Sequence, residues 1–308
     1  MPKTAEALRA LDGTVDLDID LEGLALLGTL FDETQVITRN HAALVQGRGG
    51  YAGFQQCGAA WKANKTRINM RVFGTREPLI LRNNSQADLR LPAAISVVSA
   101  DGEICHRVQF FSDMDWLTAQ TADIRAEARA VPPPCAPAQP NNVISLATVR
   151  RARAQWGAAH LGDHLDDLII DQGQTRARSL CYIGRAHARR VTHAYLPSFL
   201  SFLCRRRVKF SASVPAEGLI QTLCGQGQSC FGDAKGIMTC HTDQGIFSLD
   251  LPHVAEAWVT RHSFTAATRF GAALELYDRE GRALAVLHAD PWSEGATWNS
   301  YLEAIPSY

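Results

Sequence analysis

"ISVVSADGEICHRVQFF" (residues 95–111) and "LELYDREGRALAVLHAD" (residues 274–290) are the stretches that decide the fold class. Each is an apolar run, a short acidic turn ending in glycine, and a second apolar run. Apolar side chains recur with period 2 on both sides of Gly102 and of Gly281, which is the signature of an antiparallel hairpin.

The likeness extends outward from the two hairpins. Each is followed by a tryptophan-containing, helix-prone stretch, "MDWLTAQTADIRAEARA" (114–130) and "PWSEGATWNSYLEAI" (291–305). Upstream, "RINMRVFG" (67–74) and "IFSLDLPH" (246–253) alternate as strands do. Further upstream, "QVITRNHAALVQG" (35–47) and "CFGDAKGIMTCHT" (230–242) read as opening strands. Two hairpins can look alike by chance, but several segments in the same order argue against that. The expectation is an α+β protein, an internally duplicated domain with two antiparallel β-sheet halves and flanking helices.

"AVPPPCAPAQPNN" (130–142) marks the break between the halves. Proline fixes φ and removes donors, so this stretch reads as an extended linker. The division it implies is an N-terminal repeat over 1–130, a linker over 131–142 and a C-terminal repeat over 143–308. The last opens with a helical segment, since "VISLATVRRARAQWGAAHLGDHLDDLII" (143–170) and "PSFLSFLCRRR" (197–207) space their apolar residues as helices do.

Bulk composition excludes more than it assigns. The 31 basic and 31 acidic residues of the 308 cancel, so no overall field attracts nucleic acid or an anionic membrane. No apolar run approaches the roughly 20 residues that span a bilayer, and "MPKTAEALRALDG" lacks the form of a signal peptide. The 8 cysteines stand singly, without C-x-x-C or zinc-finger spacing, a pattern that suits a reducing cytoplasm.

Several motifs have an ordinary structural reading. His160 and His164 in "HLGDHLDD" share a helical face, but Leu161 replaces the glutamate of a zincin, and a solvated helix face is the simpler account. "GRGGY" (47–51) opens no helix and reads as a turn. The cations of "LCRRRVKF" (203–210) suit a helix C-terminus, where they oppose the dipole. No nucleophile motif such as G-x-S-x-G appears. In "NMRVFG", Arg71 and Phe73 lie two apart on a predicted strand and so project from one face. That pair can hold a flat anionic aromatic ligand by charge and stacking, or can be an ordinary exposed sheet face.

"VITRNHAALVQGRGGY" (36–51), "INMRVF" (68–73) and "SADGEICHRVQFFS" (99–112) together resemble the first half of the HemS/ChuX-type family. Its members are cytoplasmic haem-handling proteins of bacterial haem utilisation, also called haemin-degrading factors. "AEAWVTRHS" (255–263) with the second hairpin resembles the family's second half. The resemblance covers roughly residues 34–118 and 192–303, and it implies one haem bound between the halves.

It also implies roles for particular residues. Arg71 takes the place of a distal arginine able to hydrogen-bond an iron-bound oxygen ligand, and Phe73 packs on the porphyrin. Arg261 and His262 fall where the family has W-V-x-R followed by lysine. Val286 and His288 fall near its polar and aromatic lining on the last strand. The axial histidine of the family stands at the start of a leucine-rich helix, and an ungapped alignment of "FLSFLCRRRV" (199–208) puts Pro197 there. His193, four residues earlier, is the nearest substitute, followed by His187 and His241.

The implied function is binding of haem, with oxidative ring cleavage to release iron or with transfer of the haem. Cleavage would need an external electron donor, and transfer could involve a haem importer. A non-catalytic carrier or regulatory haem module is the alternative, and a module for another flat anionic ligand or an interaction scaffold is a third.

Overall fold

Both expected hairpins form, and the same backbone hydrogen bonds close them. In a computed structural model of the chain, Ser99 N donates to Glu103 O at 2.8 Å and Gly102 N to Ser99 O at 2.9 Å. In the second hairpin Asp278 N donates to Arg282 O at 3.0 Å and Gly281 N to Asp278 O at 3.1 Å. Gly102 and Gly281 take φ values of 82° and 77°. That left-handed conformation brings Cβ against the following carbonyl in any other L-residue, which is why both turns carry glycine.

The structure describes residues 3–31, 33–50, 54–57, 60–63, 68–73, 78–84, 91–111, 114–127, 145–159, 161–263, 270–289 and 295–307. They divide into two compact units, Met1–Arg39 with Gln46–Ala136 and Ala216–Gln221, and Asn40–Val45 with Pro137–Pro215 and Thr222–Tyr308. Each unit thus takes in one short segment from the other half of the sequence. The proline-rich stretch expected to link the halves lies outside the described residues.

In chain order the first half carries α1 (Ala5–Arg9), β1 (Val15–Leu17), α2 (Leu21–Gly28), β2 (Thr34–Arg39), β3 (Ala43–Gly49) and β4 (Phe54–Cys57). β5 (Ala60–Ala63), β6 (Asn69–Phe73), β7 (Leu79–Asn83), β8 (Ala93–Val98), β9 (Ile104–Phe110), α3 (Met114–Gln120) and β10 (Arg125–Ala126) follow. The second half carries α4 (Leu146–Ala158), α5 (Leu161–Asp166), α6 (Gln174–Leu180), β11 (Ala188–Val191), α7 (Leu196–Arg205), β12 (Lys209–Ala216) and β13 (Leu219–Gly232). It ends with β14 (Ile237–Thr242), β15 (Gly245–Asp250), β16 (Glu256–Ser263), β17 (Phe270–Tyr277), β18 (Ala283–Ala289) and α8 (Gly295–Ala304).

Pairing establishes the duplication strand by strand. In one unit the antiparallel order is β1–β7–β8–β9–β2. In the other it is β11–β16–β17–β18–β12. A helix stands between the outer strands of each set in sequence, α2 and α7, and another follows each hairpin, α3 and α8. The smaller sets β4–β5–β6 and β13–β14–β15 match likewise.

"RINMRVFG" and "IFSLDLPH" therefore occupy equivalent places, at β6 and β15. "QVITRNHAALVQG" and "CFGDAKGIMTCHT" do not, since one covers β2 and the start of β3 and the other the end of β13 and β14. Period-2 alternation marks which face of a strand is buried but not which strand it pairs with, so that equivalence was illegible. "GRG" of 47–49 ends β3 instead of forming a turn.

The cores follow the same rules in both units. In the first, Leu17, Leu21, Leu24, Val36, Met70, Val72, Ile95 and Val108 cluster. In the second, α7 presents Leu196, Phe199, Leu200 and Leu203, at helical spacing, to Phe210, Leu274, Leu276, Leu287 and Trp298. Phe199 meets Trp298 edge-on at 5.1 Å. α7 ends as its basic run predicts. Arg207 takes φ 53°, Val208 N reaches Leu203 O at 2.9 Å, and Arg205 stands in the last turn. No helix among the described residues is long and apolar enough to cross a membrane.

Candidate functional site

The start of α7 is where an axial histidine was expected. Thr192 opens a short 3-10 turn over His193–Tyr195, its side chain accepting from Ala194 N at 3.4 Å. The α-helix begins at Leu196, with Pro197 in the first turn, where backbone donors are unpaired in any case. Pro197 offers no ligating atom. His193 is half-buried, and its Nδ1 is buried without a hydrogen-bond partner among the described residues. An imidazole in that state has coordinating capacity to spare, although its Nδ1 lacks the acceptor that usually fixes a ligand ring.

β6 places Arg71 and Phe73 as strand geometry requires. Met70 and Val72 turn into the core, and Asn69, Arg71 and Phe73 share the half-buried face. Arg71 lies directly across from Lys62 of β5. The Phe73 amide is tied to Gly218 O at 2.9 Å.

On β16 the same alternation separates Arg261 from His262. Arg261 is exposed and pairs with Glu303 at 3.2 Å. With His187, Arg189, Asn299 and Glu303 it lines a cavity of about 410 Å³, and its amide donates to His187 O at 2.8 Å. His262 points the other way and is 1% exposed. Its Nε2 lies 2.6 Å from Thr260 Oγ1 and 3.3 Å from Glu275 Oε1. Glu275 in turn accepts from Arg176, Thr260 and Tyr277. His262, which the resemblance puts at the place of a haem-holding lysine, is thus interior while Arg261 is exposed, because neighbours on a strand face opposite ways.

His164 does not lie on the solvated helix face expected of it. It is buried, not solvated, and its Nδ1 lies 2.8 Å from Arg176 Nη1. His160 lies outside the described residues. Burial, then Arg176 and His262, depress His164 to about 2. Burial pushes the Glu275 carboxyl up, but the Arg176 charge and the hydrogen bonds from His262 and Arg176 prevail and hold it well below its usual range. Trp156 covers Arg176 at 4.4 Å.

His288 on β18 is half-buried, with Nδ1 3.4 Å from Ala289 O, and Val286 is buried. His241 on β14 is half-buried and stacks on Phe231 at 5.5 Å. Sequence reasoning missed Arg176 and Glu275. The signal for the latter was a single acid within the apolar strand "LELY".

No family model matches this sequence, and no curated protein matches it. Solved structures do. Apo-PhuS, a heme-binding protein from Pseudomonas aeruginosa, is similar with a TM-score of 0.77 at 18% identity, over 96% of this chain and 88% of that one. ChuS, an E. coli heme oxygenase, is similar with a TM-score of 0.78 at 17% identity, over 98% and 92%. The Escherichia coli O157:H7 heme degrading enzyme ChuS gives 0.77 at 17% identity, over 96% and 88%. The likeness is one of fold, α+β with antiparallel sheets, over nearly the whole chain.

Proposed function

We propose that this chain is a haem-binding protein of haem utilisation, with His193 as axial ligand. The observation that carries the reading is the half-buried imidazole of His193 at the entry to α7, whose Nδ1 has no hydrogen-bond partner among the described residues, in a fold shared with a heme-binding protein and a heme oxygenase. Arg71 and Phe73 on β6, with Lys62 across from Arg71 on β5, support it, because a haem is flat, aromatic and carries two propionates.

When bound, haem iron supplies the oxygen chemistry of ring cleavage, and electrons come from an external donor. The chain's part is to ligate, to orient and to limit water. Arg71 is the candidate distal donor, Phe73 the packing surface, and Arg261 and His288 secondary polar contacts. A cytoplasmic location, with an electron donor or a haem importer as partner, completes the reading.

A carrier or regulatory module without ring cleavage is the second reading. Pro197 at the helix start and the withdrawal of His262 into the core support it.

Titration of the purified protein with haemin tests the proposal. We expect a saturable one-to-one Soret change whose maximum moves in His193→Ala. Saturable binding indifferent to that substitution transfers the ligand to His187 or His241, and no saturable change overturns haem binding. Biliverdin or verdohaem formed with ascorbate separates degradation from carriage.

A further inference from the structure

Three cysteines that stand apart in the sequence meet in the fold. The Sγ atoms of Cys204, Cys230 and Cys240 all lie within 4.8 Å of one another. Cys204 is the penultimate residue of α7. Cys230 and Cys240 are direct partners across β13 and β14, their sulfurs 2.9 Å apart.

The close approach of α7 to β13 depends on Gly227. A Cβ there would lie 2.9 Å from Cys204 Cα and 3.0 Å from Leu203 O. Cys204 and Cys240 are buried, at 2% and 0% exposure, and Cys230 is half-buried. Thiols are weak donors and weak acceptors, so their mutual hydrogen bonding is a poor reason to gather three of them.

We propose that Cys204, Cys230 and Cys240 bind a thiophilic metal ion of the Zn2+ or Cu+ type. Soft sulfur ligands select these ions over Mg2+ or Ca2+. Zinc–sulfur bonds of about 2.3 Å put tetrahedral thiolates about 3.8 Å apart. Cys230 and Cys240 reach that spacing by parting about 1 Å, and the Cys204 sulfur already lies within 4.8 Å of both. The half-buried Cys230 marks the side from which an ion enters. Three protein donors suffice for trigonal Cu+, whereas Zn2+ takes a fourth donor in its remaining position. On binding, each S–H yields its proton to solvent as a metal–sulfur bond forms, and no electron is transferred.

The test uses the full chain, reduced and metal-free, under anaerobic conditions. Co2+ serves as the optical probe for the Zn2+ site, and Cu+ is titrated against a colorimetric chelator. We expect a thiolate-to-cobalt charge-transfer band saturating at one ion per chain, reversed by Zn2+, or one-to-one withdrawal of Cu+ from the chelator. Cys204→Ser and Cys230→Ser should each weaken binding at least tenfold. Cys224→Ser, on the same strand but outside the trio, should leave it unchanged. The half-buried Cys230 keeps the test readable if variants at the buried cysteines fold poorly. Uptake of neither metal, affinity indifferent to Cys204→Ser and Cys230→Ser, or a Cys230–Cys240 disulfide that survives reduction overturns the proposal.

Discussion

Arg176 lays its guanidinium along the carboxylate of Glu275, with Nε 2.8 Å from Oε2 and Nη2 2.6 Å from Oε1, both side chains buried. The fork joins α6 to β17. Thr260 and Tyr277 hydroxyls each donate to the same carboxylate at 2.6 Å. Desolvating two charges is costly, and such a pair is tolerable only when its remaining lone pairs are occupied, as they are here.

Removing one partner strands the other. Arg176→Ala should destabilise the chain by about 3–5 kcal/mol, since Glu275 keeps its burial and loses its countercharge. Urea unfolding monitored by circular dichroism measures this. A loss below about 1 kcal/mol would show that the carboxylate is rescued by water or by a proton.

Falling pH should weaken the fold from the histidine range downward. Burial holds His106 down to about 3, and burial, then Arg176 and His262, hold His164 at about 2. In the unfolded chain each takes up a proton near pH 6.5, so between there and about pH 3 the unfolded state binds more protons. Stability then drops as pH falls, with a slope of up to about 2.7 kcal/mol per pH unit for the two groups. Unfolding free energies at about pH 7.5 and about pH 5 provide the check. A flat profile would contradict buried neutral rings at both positions.

Gly281 offers a test of the duplicated turn. Gly281→Ala should cost about 1–2 kcal/mol, because the added Cβ meets its own backbone at positive φ. Its nearest foreign neighbour would be Ala177 Cβ at an ordinary 3.6 Å, so crowding is not the cause. Gly281→Asn should recover part of the loss, since asparagine tolerates this conformation. Equal destabilisation by both would point to packing instead.

Arg71→Ala tests the haem reading in the first unit. On that reading, haem affinity or haem oxidation should fall about tenfold, roughly the loss of one charge-assisted hydrogen bond, with the circular dichroism spectrum unchanged. Unchanged affinity and turnover would remove Arg71 from the site.

Much of this architecture was legible from local pattern. The hairpin turns, the strand carrying Arg71 and Phe73, and the basic end of α7 follow from rules that act over a few residues. The histidines were less legible. His262 adjoins an exposed arginine in sequence, yet its ring is interior. His164 sits among charged residues, yet it is buried against Arg176. Both depend on which face of the element meets the rest of the unit, and a short window does not record that.

By itself the sequence determined the periods, the turns and the order of segments in each half, because alternation, proline and glycine act through neighbouring atoms. Only the tertiary structure decided the strand pairings that make the halves equivalent, the fork between Arg176 and Glu275, and the meeting of Cys204 with Cys230 and Cys240. Those contacts join residues far apart along the chain. They form because burying apolar surface brings whole elements together, and the polar and sulfur groups they carry come with them.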